Sequence, residues 1–211
     1  MKIKQILPMG WVVLVMTSFA MAQVAPSQRW DFDKDQPGQT PVGFESYSGQ
    51  WKVKSDPTAP SQPNVLAQEA TDQTWPGIVA RDTNYKDLWA EVKFKTVSGS
   101  EDQAAGIIFR FQDKGNFYVL RANADEDNVE LFQFVHGIRT GIKGQNVKVP
   151  HGTWQVLGVE AVGPTITCFF NGQELLTVHH DRYKRGKVGL WTKADSVTYF
   201  DNFLVQPHAQ P

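Results

Sequence analysis

The chain has 211 residues, 41% of them hydrophobic, a formal net charge of −1 and a single cysteine. That is enough to bury one substantial core, and one domain is the natural reading. The near-neutral balance gives no electrostatic case for nucleic acid or an anionic membrane, and Cys168 alone excludes an intrachain disulfide.

Residues 1–22 carry Lys2 and Lys4, an apolar run from Trp11 to Phe19 and an Ala20-Met21-Ala22 cleavage pattern, so a secretory signal is expected. The apolar run is too short for a membrane span and no basic stop follows it. Cleavage removes two lysines and no acid, which takes the charge from −1 to −3. A secreted or periplasmic domain is therefore expected, with no membrane span once the signal is gone. Its expected layout is a leader at 23–28, a folded unit at 29–206 and a tail at 207–211.

From the leader onward the pattern is that of short strands. Arg29–Asp33 reads as a first strand, stopped by Asp35-Gln36-Pro37-Gly38. Gly49–Lys54 alternates, and the three prolines of Asp56–Pro63 mark a loop. Val65–Glu69 and Gly77–Asp82 are short strands around a polar loop holding Trp75-Pro76. In Asp87–Lys95, Leu88, Ala90, Val92 and Phe94 share one face and Trp89, Glu91, Lys93 and Lys95 the other. Ala105–Phe111 places Ile107, Phe109 and Phe111 opposite Ile108 and Arg110. Asn116–Ala122 and Val129–His136 continue the meander.

The last third has the clearest punctuation. Thr153–Ala161, Thr165–Phe170 and Glu174–His179 are separated by Gly163-Pro164 and by Asn171-Gly172, the latter a type I′ hairpin signal. Gly186–Trp191 and Thr198–Val205 follow. No stretch after the signal has a 3.6-residue period, so the expected fold class is all-β, a two-sheet antiparallel jelly-roll sandwich. Cys168, inside TITCFF, reads as a small buried hydrophobe in preference to a reactive thiol.

In a sandwich each strand gives one side-chain set to the core and the other to the outside. Parity assigns Trp89, Glu91, Arg110, Arg121 and Trp191 to the outside. Flat aromatic rings can cover the C–H face of a sugar while arginines and a carboxylate fork hydrogen bonds to its hydroxyls. These five are thus candidate ligand-binding residues for a carbohydrate or glycoconjugate. The competing reading is an ion-pair ladder of Arg110, Arg121 and Glu91 under a covering loop, with the tryptophans partly packed.

Asp31 and Asp33 in the first strand and Asp201 in the last could meet on a hard cation such as Ca²⁺, or be strand-end acids facing water. No cofactor is otherwise required. The acidic run Asp125–Glu130 reads as a solvated turn, with only Glu130 entering a strand. His179-His180 point to opposite faces of a strand and make a poor metal pair.

Tyr85–Lys95, Gly106–Phe111, Gly152–Trp154 leading to Phe170-Asn171-Gly172, and Gly186–Val205 together resemble the concanavalin A-like lectin/glucanase jelly rolls. More narrowly they resemble the bacterial laminin-G-like group known as 3-keto-disaccharide hydrolase. The resemblance spans roughly Trp30–Val205. It implies two antiparallel sheets, one of them handling carbohydrate, and in some members a structural Ca²⁺ at the last-strand aspartate, here Asp201.

The Glu-x-Asp-x-x-Glu spacing of related glucanases is absent, as is the Glu-x-Gln pattern of the keto-disaccharide group, so no catalytic residue carries over. The expected function is carbohydrate binding. Alternatives are a glycoside hydrolase acting on 3-keto-disaccharides, with Glu91 or Glu130 as acid/base, and a structural envelope protein.

Overall fold

The computed structural model describes residues 26–208; the expected signal segment, residues 1–22, lies outside the described residues. Fifteen strands follow in order: β1 (Gln28–Trp30), β2 (Phe44–Ser48), β3 (Trp51–Ser55), β4 (Asn64–Gln68), β5 (Gly77–Ala80), β6 (Leu88–Ser98), β7 (Ala104–Asp113), β8 (Asn116–Asn123), β9 (Asn128–Val135), β10 (Ile138–Asn146), β11 (Gln155–Val162), β12 (Thr165–Phe170), β13 (Gln173–His179), β14 (Lys187–Trp191) and β15 (Val197–Pro207). No helix among the described residues is long and apolar enough to cross a membrane.

The strands form two antiparallel sheets. One runs β13-β12-β11-β6-β15-β4-β3, with β1 added against β15; the other runs β10-β9-β8-β7-β14-β5-β2. The fold is the expected all-β jelly-roll sandwich. The β12–β13 turn is the expected one: Asn171 and Gly172 both take positive φ, at 50° and 77°. Asn171 also anchors β11, its side chain accepting from Val156 N at 2.8 Å and donating to Gln155 at 2.8 Å.

Two strands exceed the expectation. β2 lies in the stretch before the anticipated Gly49–Lys54 strand, and β10 follows His136-Gly137 with mostly polar, exposed residues. An edge strand needs no apolar alternation, since pairing on one side is what holds it. The first expected strand is in turn shorter, ending at Trp30, because Phe32 adopts φ 61° and breaks the extended run.

The inner faces interlock as parity requires. Leu88, Ala90, Val92 and Phe94 of β6 join Ile107 and Phe109 of β7, Tyr118, Leu120 and Ala122 of β8, and Val188 and Leu190 of β14. Each fully buried Val, Leu, Ile or Phe among these contributes about 1.5–3 kcal/mol of transfer free energy. The buried Cys168 belongs to the same core, where burial pushes its thiol up to about 12.

Candidate functional site

The outer face of the seven-stranded sheet carries a second apolar cluster. Val79, Ile108, Phe111, Phe117, Val119, Phe132, Phe134 and Trp191 are buried there, with Tyr47 and Trp75 packed against them. Register explains how large side chains fit. Gly77 pairs with Trp191, Trp191 with Gly106, Gly106 with Arg121, Arg121 with Glu130, and Glu130 with Gly144. One transverse row thus presents Trp191, Arg121 and Glu130 on the same face, separated by glycines. A Cβ at Gly77 would sit 2.0 Å from the Tyr47 hydroxyl, one at Gly106 3.2 Å from the Trp191 ring and one at Gly144 3.1 Å from Glu130. The glycines are the floor on which the neighbouring side chains lie.

Trp191 is 0% exposed because Trp75 stacks on it, with centroids 5.6 Å apart and planes 18° apart. Trp75 comes from the loop between β4 and β5 and also meets Phe134 edge-on at 5.7 Å. The Arg139 guanidinium of β10 lies 4.4 Å from the Trp75 ring and 4.5 Å from Phe132. Arg121 lies 5.2 Å from that same Phe132 ring.

Beside this column is a polar network. Arg121 Nη2 donates to Glu126 at 2.8 Å and to Asn128, and Glu130 stands 3.8 Å away. Lys193 links Asp102 at 2.8 Å to Glu126 at 3.2 Å, and Asn123 donates to Asp102 at 2.7 Å. Burial opposes ionisation of Glu126, but Arg121, Asn128 and Lys193 outweigh it and hold the carboxyl down to about 2.

The face also holds unspent hydrogen-bonding capacity. Four buried side-chain atoms of this face have no hydrogen-bond partner among the described residues: Tyr47 OH, Arg121 Nε, Arg139 Nη1 and Trp191 Nε1. Left unmade, each costs about 1–3 kcal/mol. Most buried polar groups in folded proteins have a protein or water partner, so this concentration distinguishes the face from the rest of the molecule.

The sequence profile of the family described as 3-keto-alpha-glucoside-1,2-lyase-like domain matches residues 31–206. The chain belongs to that family. No curated protein matches the sequence. Among solved structures the carbohydrate-binding module CBM66 from Bacillus subtilis superposes with a TM-score of 0.68 at 19% identity, over 78% of this chain and 95% of that one. A Bacillus subtilis protein of unknown function with a galectin-like fold gives 0.62 at 11% identity, over 90% and 100%. The Bacillus licheniformis beta-glucanase gives 0.59 at 11% identity, over 89% and 100%. Identities this low speak for the shared fold.

Within this family domain the five residues expected on one outward face are divided. Arg121 and Trp191 share the face just described. Trp89 and Glu91, on β6, point outward from the other sheet, where Trp89 meets Phe169 edge-on at 5.0 Å. Parity along β6 held, but parity alone does not say which sheet a strand joins.

Arg110 departs from its expected face. It sits at φ 50° where the β7–β8 register shifts, and the irregularity also sends Phe111 to the outer cluster, away from its expected core side. The Arg110 guanidinium is 1% exposed and donates to Lys86 O at 3.1 Å, Tyr183 O at 3.0 Å and Gly163 O at 2.8 Å, with Asp87 3.7 Å away. It ties three loops together at one end of the sandwich. The alternative ladder of Arg110, Arg121 and Glu91 is not formed either, since Arg121 pairs with Glu126.

The three acids considered for calcium do not fit a cage. Asp201 is fully buried, and its two oxygens accept from Ser61 N at 2.7 Å and Ser61 Oγ at 2.8 Å. Asp33 accepts from Asn64 N at 3.0 Å and Asp31 from Asp33 N at 3.2 Å. Burial pushes the Asp201 carboxyl up, the Ser61 and Asn202 donors oppose this, and the Asp33 charge adds to it. Among the described residues no group of three or more His, Cys, Asp or Glu side chains is placed to hold a metal.

The acidic turn does more than face water. Glu126 joins the site network, and Asp127 accepts from Val149 N at 3.0 Å and Lys148 at 2.8 Å. Trp75 and Arg139 were not singled out in the sequence because one lies in a loop and the other on an edge strand without alternation. The Trp75-Pro76 pair, an aromatic held next to a rigid proline, was the available signal.

Proposed function

We propose that this protein is an exported glycan-binding domain, and that its ligand lies on the outer face of the seven-stranded sheet. Export rests on the composition of residues 1–22. The observation that supports the site is the gathering of four unpartnered buried polar atoms, Tyr47 OH, Arg121 Nε, Arg139 Nη1 and Trp191 Nε1, on an aromatic floor. Aromatic rings and convergent donors are what a sugar ring with its hydroxyls requires. The family description names a glucoside, and a neighbour in fold is a carbohydrate-binding module, which agrees with a glycan as the ligand class. Trp75, stacked on Trp191 and carrying the Arg139 guanidinium on its ring, completes the aromatic part of this face. The test is a glycan array probed with the mature chain and with Trp75→Ala and Arg121→Gln variants. Binding weakened by Arg121→Gln supports the reading; indifference to both substitutions overturns it.

A second reading is cleavage of a 3-keto-disaccharide on the same face, favoured by the family description and by the position of Glu130 in the row with Arg121 and Trp191. Glu126 is unsuited as a proton donor, being held ionised at about 2. Glu91 faces out from the opposite sheet. Release of product from a 3-keto-disaccharide, abolished by Glu130→Gln with binding retained, would establish this reading over simple binding.

A further inference from the structure

Arg139 is held by its faces, not by its edge. Trp75 and Phe132 lie against the guanidinium at 4.4 and 4.5 Å, yet among the described residues it has no ion-pair partner and its Nη1 meets no acceptor. Arg121, 1% exposed, rests on the same Phe132 ring. Its Nη2 is engaged by Glu126 and Asn128, while its Nε is free. Burial and then the neighbouring Arg121 charge pull the Arg139 pKa down, with Glu130, Glu126 and Asp102 opposing. Two guanidiniums thus share one ring, repel each other and each keep an unmet donor.

A guanidinium stacked on rings leaves its in-plane N–H groups available, and their fork matches the two oxygens of a carboxylate. The kind of unmet capacity is also informative. Of the four unpartnered atoms, the Arg121, Arg139 and Trp191 nitrogens donate only, and the Tyr47 hydroxyl can donate as well as accept, so the unmet capacity is mainly for acceptors. Each hydroxyl of a neutral polyol brings a donor that itself needs an acceptor. A carboxylate brings acceptors alone. β10 is an edge strand with mostly exposed residues, which gives an extended acidic chain a path along the border of the face.

We infer that the glycan taken on this face carries a carboxylate, as a uronic acid does, and that Arg139 and Arg121 together receive it; this rests on the glycan-binding reading above.

The test is calorimetric titration of the mature chain with trisaccharides of galacturonate, glucuronate and mannuronate, each beside its carboxyl-reduced neutral counterpart. At least one acid is expected to bind at least tenfold more tightly than its reduced form. Arg139→Gln is expected to abolish that preference at an unchanged melting temperature, and Arg139→Lys not to restore it, since an ammonium cannot fork. Equal affinity for acid and reduced forms, or binding of neutral glycans alone, overturns the carboxylate inference and leaves the glycan reading standing. A preference that survives Arg139→Gln overturns the role of Arg139. No heat with any of these saccharides overturns the carboxylate inference, and the glycan reading falls with it only when the glycan array is also blank.

Discussion

Trp75 lies flat on Trp191, 5.6 Å away and 18° from parallel, so that a loop residue closes over the indole that the strand pattern presents outward. Offset stacks of this kind contribute about 0.5–1.5 kcal/mol beyond the area they bury. Trp75→Ala should therefore lower stability by about 1–3 kcal/mol, which for a domain of this size is several degrees in melting temperature. It should also make Trp191 emission accessible to acrylamide. Quenching identical to the parent would show that the stack does not persist in solution.

Arg110 serves the scaffold, and its replacement should show as instability with no direct effect on ligand preference. Arg110→Met leaves the carbonyls of Lys86, Tyr183 and Gly163 without their donors. A loss of about 3–5 kcal/mol in urea unfolding is expected, with Arg110→Lys a poor rescue because one ammonium cannot reach three divergent acceptors. A loss below about 1 kcal/mol would contradict the assigned role.

Glu126 gives the fold a defined acid dependence. Its folded-state pKa, about 2, lies below the ordinary 4.5, so its contribution is present above pH 4.5 and is lost as pH falls towards 2. The side chain is 40% exposed, and solvent screening reduces the contribution to about 1 kcal/mol. Glu126→Gln should cost that much at pH 6 and little at pH 2.5. A penalty independent of pH would mean that packing, not the Arg121 pair, is what the substitution removes.

Much of the fold was legible because alternation and turn chemistry agree along the chain. The Asn171-Gly172 hairpin and the outward parity of Trp191 both survive in three dimensions. Two kinds of information were missing. Register and sheet membership are set by partners distant in sequence, so the row joining Trp191, Gly106, Arg121 and Glu130 could not be written down in advance, nor the separation of Trp89 and Glu91 onto the other sheet. Irregular backbone was the second. One left-handed residue at Arg110 was enough to undo parity for it and for Phe111, and a loop tryptophan carries no periodicity by which its destination could be read.

The Cys168 thiol, buried and pushed up to about 12, should resist a disulfide reagent in the native chain at pH 8 and react fully in denaturant. Rapid native labelling would place that strand outside the core.

Asp31, Asp33 and Asp201 are satisfied by backbone and hydroxyl donors, so added chelator or millimolar calcium should leave the melting temperature unchanged. A calcium-dependent rise, about 2.7 kcal/mol of stability at 100 times the Kd, would contradict this.

The most direct test of the central claim is a hydrogen-exchange footprint of the domain with and without a glycan identified on the array. Protection should fall on β8, β9, β10, β14 and the loop carrying Trp75. Protection confined to the outer face of the opposite sheet, around Trp89 and Glu91, would contradict it.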